Sequence, residues 1–284
     1  MAKTETERSP FLRHEDRVGS EEDGVLYTSG AHAPVVAVSR MDDTRLPQPI
    51  NVKILMPGPK ASCFEFNLGK GAVVPPVRFA HDVVYCLVRG RMAVTLGGDA
   101  YTAQARDAWS AAPGCAIAFE ALDDCVLVEF MAQPHLVSAD RLVTWGAPNP
   151  CNSHIFTRWE DQEPMRMERV EGGTGSGPPG KDVRQFFKIL APGPSIGAIW
   201  ITHLKGKVAN HKHYHHFLCY LIKGKMREKF GGSQEHICLS GDIWSTQAGA
   251  MHYTEALDDN ELLEFKWPAP LLWNGLIHSW ENRW

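Results

Sequence analysis

The chain has 284 residues, 44% of them hydrophobic, and a formal net charge of −4. Such a length holds one large domain or two of ordinary size, and a weakly acidic balance with scattered Lys and Arg offers no basic field for a phosphate backbone, so no nucleic-acid partner is expected. No apolar run approaches the ~18 residues of a spanning helix, and the opening MAKTETERSPFLRHEDR lacks the apolar stretch of a secretory signal; no membrane association and a cytoplasmic location are expected.

In chain order, residues 1–25 are mixed in charge and poor in strand formers, which predicts a flexible N-terminal tail. From 26 to 147 the text becomes a succession of short runs rich in Val, Ile, Leu, Phe, Tyr and Trp, punctuated by Gly and Pro turns. Nothing there sustains a helical period, so the prediction is an all-β domain. Residues 148–182 include EGGTGSGPPGKD (171–182), whose Gly, Ser and Pro content reads as a linker. From 183 to 284 a second series of strand-like runs follows. The seven cysteines are dispersed, odd in number and never spaced as CxxC, which argues for small core residues rather than a disulfide framework or a zinc ribbon.

The two series are copies of one another. RDAWSAAPGCAIAFEALDDCVLVEF, from Arg106, aligns without gaps on GDIWSTQAGAMHYTEALDDNELLEF, from Gly241. Upstream, KILMPGP from Lys53 matches KILAPGP from Lys188, and YCLVRGRM from Tyr85 matches CYLIKGKM from Cys219, in the same order. A duplicated all-β unit of this size points to a sandwich or a closed barrel. Residues kept in both copies, such as Trp109 and Trp244, Glu120 and Glu255, or Asp107 and Asp242, read as architectural.

The copies differ in their histidines. Of 13 in the chain, four fall between His211 and His216. Residues two apart on a strand share a face, so His211 and His213 can converge on one ion. A third imidazole must come from a distant strand, and His252, after a Gly-containing turn about forty residues on, is the candidate. In the first copy Val77, Phe79, Val83 and Ile117 stand opposite His211, His213, Phe217 and His252. Four apolar side chains there predict a packed interior without a site.

These residues resemble the two motifs of the cupin superfamily. GKVANHKHYHHFLCYLIKGKM, from Gly206, is similar to the first, HxH followed by a Glu and a Gly, with His211, His213 and Gly224 in place. GDIWSTQAGAMH, from Gly241, is similar to the second, G-x5-P-x-G-x2-H, with Gln247 where Pro is usual. The resemblance implies an all-β chain of two tandem cupin, jelly-roll-like barrels, with one divalent metal in the C-terminal barrel on His211, His213 and His252. The usual carboxylate ligand would stand at Phe217 or Leu218, and neither binds a metal. His215 and His216 are candidates for an additional ligand or for a supporting position beside the ligands; His81 is the counterpart of His215 in the first copy. Phe217, Trp200, Thr202 and Thr254 are expected to line the substrate pocket.

A three-imidazole site without a carboxylate resembles those of cupin dioxygenases. It implies Fe(II), with Zn, Mn or Ni as alternatives, and a small anionic substrate that chelates the ion. The leading expectation is therefore a non-haem dioxygenase of a small aromatic or enolisable organic acid. The alternatives are a non-redox isomerase, cyclase, lyase or hydrolase using the metal as a Lewis acid, and a non-catalytic small-molecule-binding cupin. Exposed sheet edges predict a homodimer.

Overall fold

The β-branched and aromatic runs become strands, and the Gly and Pro positions between them become turns. A computed structural model describes residues 25–57, 61–132, 136–138, 140–144, 149–165, 185–192, 195–211, 215–230 and 234–267. Among these there is no helix, and hence none long and apolar enough to cross a membrane.

The strands of the N-terminal half are β1 (Val25–Thr28), β2 (Val35–Met41), β3 (Thr44–Pro57), β4 (Ser62–Leu68), β5 (Val73–Arg78), β6 (Val83–Arg89) and β7 (Arg91–Leu96). They continue as β8 (Asp99–Gln104), β9 (Ala108–Ala111), β10 (Ala116–Ala121), β11 (Cys125–Met131), β12 (Leu136–Ser138), β13 (Arg141–Val143) and β14 (His154–Thr157). The second half comprises β15 (Gln185–Pro192), β16 (Gly197–His203), β17 (Gly206–His211), β18 (His216–Lys223) and β19 (Lys225–Phe230). It ends with β20 (Gln234–Leu239), β21 (Ile243–Thr246), β22 (His252–Ala256) and β23 (Asn260–Trp267).

The repeat is realised as repeated topology. One large sheet contains the order β3-β4-β11-β6-β9-β14, and its counterpart runs β15-β16-β23-β18-β21-β1; the smaller sheets are β5-β10-β7-β8 and β17-β22-β19-β20. Each large sheet faces a four-stranded one to make a barrel, and the interiors are filled from both. At the β6–β7 and β18–β19 hairpins the chain turns through Gly90 (φ 93°) and Gly224 (φ 97°), where a Cβ would come within 2.7 Å of the Asp124 carbonyl and 2.8 Å of that of Asp259. Only glycine satisfies both demands there.

The chain divides into two compact units, one holding β2–β14 and the other β1 with β17–β23 and most of β16. Two short strands depart from the sequence boundaries. Val25–Thr28, at the edge of the expected tail and first domain, pairs antiparallel with β21 in the second barrel. His154–Thr157, inside the segment expected to link the domains, pairs with β9 in the first. Each supplies a sixth strand that its own barrel's repeat does not encode. The conserved aspartates show why. Asp107 accepts from the amides of Gln104 and Trp159, both at 2.9 Å, closing its turn and pinning the chain just after β14. Asp242 accepts from Leu239 and Gly30 amides at 2.8 Å and from the Tyr27 hydroxyl at 2.5 Å, doing the same for β1. All seven cysteines are free thiols, and all except the half-buried Cys151 are buried. Residues 171–182 lie outside the described residues.

Candidate functional site

The second barrel places its polar residues by strand alternation. Along β22, His252, Thr254 and Ala256 are buried while Tyr253 and Glu255 alternate outward; there the Tyr253 hydroxyl lies 3.5 Å from Glu255, which also takes the Arg227 guanidinium at 2.7 Å. The His252 ring meets that of Phe217 with centroids 5.1 Å apart. Because β22 and β18 belong to opposite sheets, this contact spans the barrel interior.

His211 is the direct cross-strand partner of His252 in the β17–β22 ladder. The first barrel repeats this register with Val77 opposite Ile117, which fixes the correspondence between the copies. Val77, Phe79, Val83 and Ile117 are all at least 98% buried, so the first interior is packed where the second carries histidines. The imidazole of His211 and the whole of His213 lie outside the described residues. Among the described residues no group of three His, Cys, Asp or Glu side chains is arranged to hold a metal.

The remaining expected residues separate by face. His216 alternates with Phe217 on β18, and its ring stacks on Trp267 at 5.5 Å while its Nδ1 accepts from the Ala248 amide at 3.4 Å. It therefore points away from His252. His215 is half-buried just before β18. Trp200, expected in the pocket, donates its indole N–H to Glu261 at 3.1 Å. Glu261 alternates with Leu262 and Glu264 on β23, so Trp200 and, two residues on, Thr202 belong to the opposite face of the sheet from Phe217. A strand's alternation was readable in this stretch, but which phase faces inward depends on the partner strand.

Thr254 does face inward, and it leads through Glu228, a residue the sequence offers for proton transfer, to Glu264 and Lys266, which motif reading missed. Its hydroxyl donates to Glu228 Oε2 at 3.0 Å, Glu228 being its cross-strand neighbour on β19. From the facing sheet, Cys219 and Glu264 pair across β18 and β23, and the next inward pair is Phe217 with Lys266. Lys266 Nζ lies 2.9 Å from Glu264 Oε1, and the Cys219 thiol donates to Glu264 Oε2 at 3.8 Å. Glu228, Thr254, Glu264 and Lys266 are all buried. Burial above all, helped by the nearby Glu264 charge and opposed by the Thr254 hydrogen bond, pushes the Glu228 carboxyl well above the usual range. Burial likewise raises the Cys219 and Cys238 thiols well above theirs, and the surrounding carboxylates add to it.

The aligned repeats contain the signal for this cluster. Glu228, Thr254 and Lys266 stand opposite Val94, Phe119 and Met131, and only Glu264 keeps its type, as Glu129. In the first barrel Glu129 accepts from the Tyr85 hydroxyl, and Tyr85 stands where Cys219 does. One interior closes over a single satisfied carboxyl, whereas the other encloses two carboxyls and an ammonium below a histidine.

No protein-family model matches the chain, and no curated protein sequence matches it. Among solved structures, a Lactobacillus farciminis oxalate decarboxylase in complex with formate is similar at a TM-score of 0.63 and 14% identity, over 90% of this chain and 88% of that one. A Bacillus subtilis oxalate decarboxylase studied for its Mn(II) centres gives 0.61 and 14% over 90% and 78%. AerE from Microcystis aeruginosa gives 0.54 and 10% over 77% and 92%. At such identities the likeness speaks for the fold, which is all-β with two tandem cupin-type barrels.

Proposed function

We propose that the second barrel is the working centre of a metal-dependent enzyme acting on a small anionic organic acid without net oxidation, in the lyase or isomerase class. The observation that carries this reading is the buried array of Glu228, Thr254, Glu264 and Lys266 beneath His252, set against Val94, Phe119, Glu129 and Met131 in the twin barrel. Burying ionisable groups costs several kcal/mol for each charge that is not fully compensated, and the first barrel demonstrates that the fold does not require it. Groups retained at that cost in a concave interior are candidates for chemistry.

The donor chemistry of His252 and the backbone register that brings it opposite His211 support a divalent ion here. His252 Nδ1 lies 3.4 Å from the Ala250 carbonyl, an arrangement that assigns the proton to Nδ1 and the lone pair to Nε2, and His211 is its register partner. We assign the ion to His211, His213 and His252; when bound it would polarise a substrate carboxylate or carbonyl oxygen as a Lewis acid. The protein's own contribution is threefold. Phe217 presents an apolar wall at the level of His252. Lys266, its cross-strand partner, is ion-paired with Glu264 and presents an ammonium donor beside which a substrate carboxylate can bind. Glu228 holds its proton to a higher pH than an exposed glutamate, and the Thr254 hydroxyl orients the carboxyl for proton transfer. The two-barrel fold shared with oxalate decarboxylases supports beginning with oxalate and other short dicarboxylates.

The test is metal analysis of protein prepared without a polyhistidine tag, followed by turnover of a panel of short carboxylic acids under argon. Stoichiometric metal, lost in the His211→Ala/His213→Ala/His252→Ala variant, and undiminished anaerobic turnover support the proposal. A protein that binds no divalent ion sinks it. A Glu228→Gln variant should keep its metal and lose kcat. A second reading, a non-haem iron dioxygenase, rests on Phe217 at the carboxylate position, which leaves an all-imidazole donor set; turnover that stops without oxygen would select it.

A further inference from the structure

The first barrel carries a feature of its own. Cys115, at the turn between β9 and β10, and Cys151, in the chain leading into β14, are partners in a parallel β-bridge. We infer that Cys115 and Cys151 form a redox modification site, closing to a disulfide that fastens the sixth strand of the first barrel.

Three observations carry the assignment. Neighbouring strands lie ~4.8 Å apart, inside the Cα separation of roughly 4.4–6.8 Å that a disulfide spans, and partners in a parallel bridge direct their side chains to one side of the sheet. Both thiols are free, Cys115 buried and Cys151 half-exposed, so a soluble oxidant has access to one of them. The juxtaposition is also fixed by the local chain. The Cys151 amide donates to the Gly114 carbonyl at 3.2 Å and the Ala112 amide to Ser153 at 3.0 Å. Arg78 Nη1 reaches the carbonyls of Gly114 and Cys151 at 2.5 and 3.4 Å. Gly114, at φ 83°, lets this segment in: a Cβ there would lie 1.8 Å from the Asn149 carbonyl oxygen. The aligned position in the second repeat is Ala250, so the barrel itself does not demand a cysteine at this turn.

The thiols are unequal. Burial first, and the neighbouring Cys151 second, lift Cys115 to about 11, which makes the more accessible Cys151 the initial nucleophile. With a small disulfide such as oxidised glutathione, the Cys151 thiolate attacks one sulfur and expels one glutathione thiolate, leaving a mixed disulfide. Cys115, giving up its proton to solvent, then attacks the Cys151 sulfur and expels the second. Two protein thiols are oxidised to one disulfide while oxidised glutathione is reduced to two thiols. The product links the β9–β10 turn covalently to the approach of β14, a strand that, among the described residues, pairs with β9 alone. Reversible oxidation would thereby switch that strand between a hydrogen-bonded and a covalently anchored state.

The experiment treats the folded protein with excess oxidised glutathione, blocks residual thiols, and then unfolds, alkylates and digests it. The expected result is one linked peptide pair containing Cys115 and Cys151, lighter by two hydrogens than the sum of its parts, with Cys63, Cys86, Cys125, Cys219 and Cys238 recovered as alkylated thiols. Cys115→Ala, which installs the residue of the second repeat, should halt at a glutathione adduct on Cys151. Amide exchange at His154–Thr157 should slow in the linked wild type and not in that variant. Recovery of Cys115 as a free thiol from oxidised wild-type protein overturns the inference, whatever the state of Cys151.

Discussion

The two barrels share a strand order, a register and a set of turn aspartates, yet their interiors are opposites. Between β10 and β6 the first packs Ile117, Phe119 and Val83; between β22 and β18 the second sets His252, Thr254 and Phe217 over Glu228, Glu264 and Lys266. A fully buried large apolar side chain contributes about 1.5–3 kcal/mol to stability, whereas each buried charge must be offset by a partner. The difference teaches that the fold needs no more inside than the hydrogen-bonded Tyr85–Glu129 pair, so the further polar contents of the second barrel answer to something other than folding.

The largest test of the contrast is loss of metal. The His211→Ala/His213→Ala/His252→Ala variant is expected to lose all stoichiometric divalent ion by elemental analysis while keeping its far-UV circular dichroism, since the first barrel holds Val77, Phe79 and Ile117 there without penalty. A folded variant with full metal would break the comparison.

Next comes the ion pair. Lys266→Met, copying Met131, strands Glu264 inside and should cost ~3–5 kcal/mol in urea denaturation. Adding Cys219→Tyr recreates the Tyr85–Glu129 pairing of the first barrel and should recover much of that loss. A single variant as stable as wild type would show that the charges of the array are not balancing one another.

His203 gives a pH signature of somewhat smaller size. It is buried at the end of β16, accepts a 3.3 Å contact from Gln185, and desolvation pulls its pKa from 6.5 down to about 4. The folded state thus keeps it neutral while the unfolded chain takes up a proton. Its contribution is whole above pH 6.5 and is lost as pH falls toward 4, to a total of about 3 kcal/mol. His203→Leu, the residue of the first repeat at Leu68, should flatten that limb of the stability profile; an unchanged acid limb would assign it to other groups. The smallest effect is expected in the first barrel, where Tyr85→Phe removes the hydroxyl that donates to Glu129 and should cost about 1–3 kcal/mol by thermal denaturation. No change there would mean that Glu129 is satisfied without it.

Much of this was legible in the amino-acid text. Duplication, the all-β class and the histidine asymmetry are local patterns, and Val77 and Ile117 were paired with His211 and His252 by alignment before the register did so in space. Lys266 was harder to see, because a polar residue within an alternating strand reads as solvent-facing unless its counterpart, Met131, is consulted. Trp200 and Thr202 illustrate the same ambiguity from the other side.

What the sequence determined alone is whatever propagates along the chain: strand and turn propensities, the repeat, and the spacing of motif residues. The tertiary structure alone decided which face of each strand is inside and which barrel receives β1 and β14. Inward phase depends on the facing sheet, and strand pairing depends on partners such as Tyr27 and Asp242, 215 positions apart. No local pattern encodes a hydrogen bond across that distance; it forms because folding leaves an open sheet edge beside a segment able to fill it.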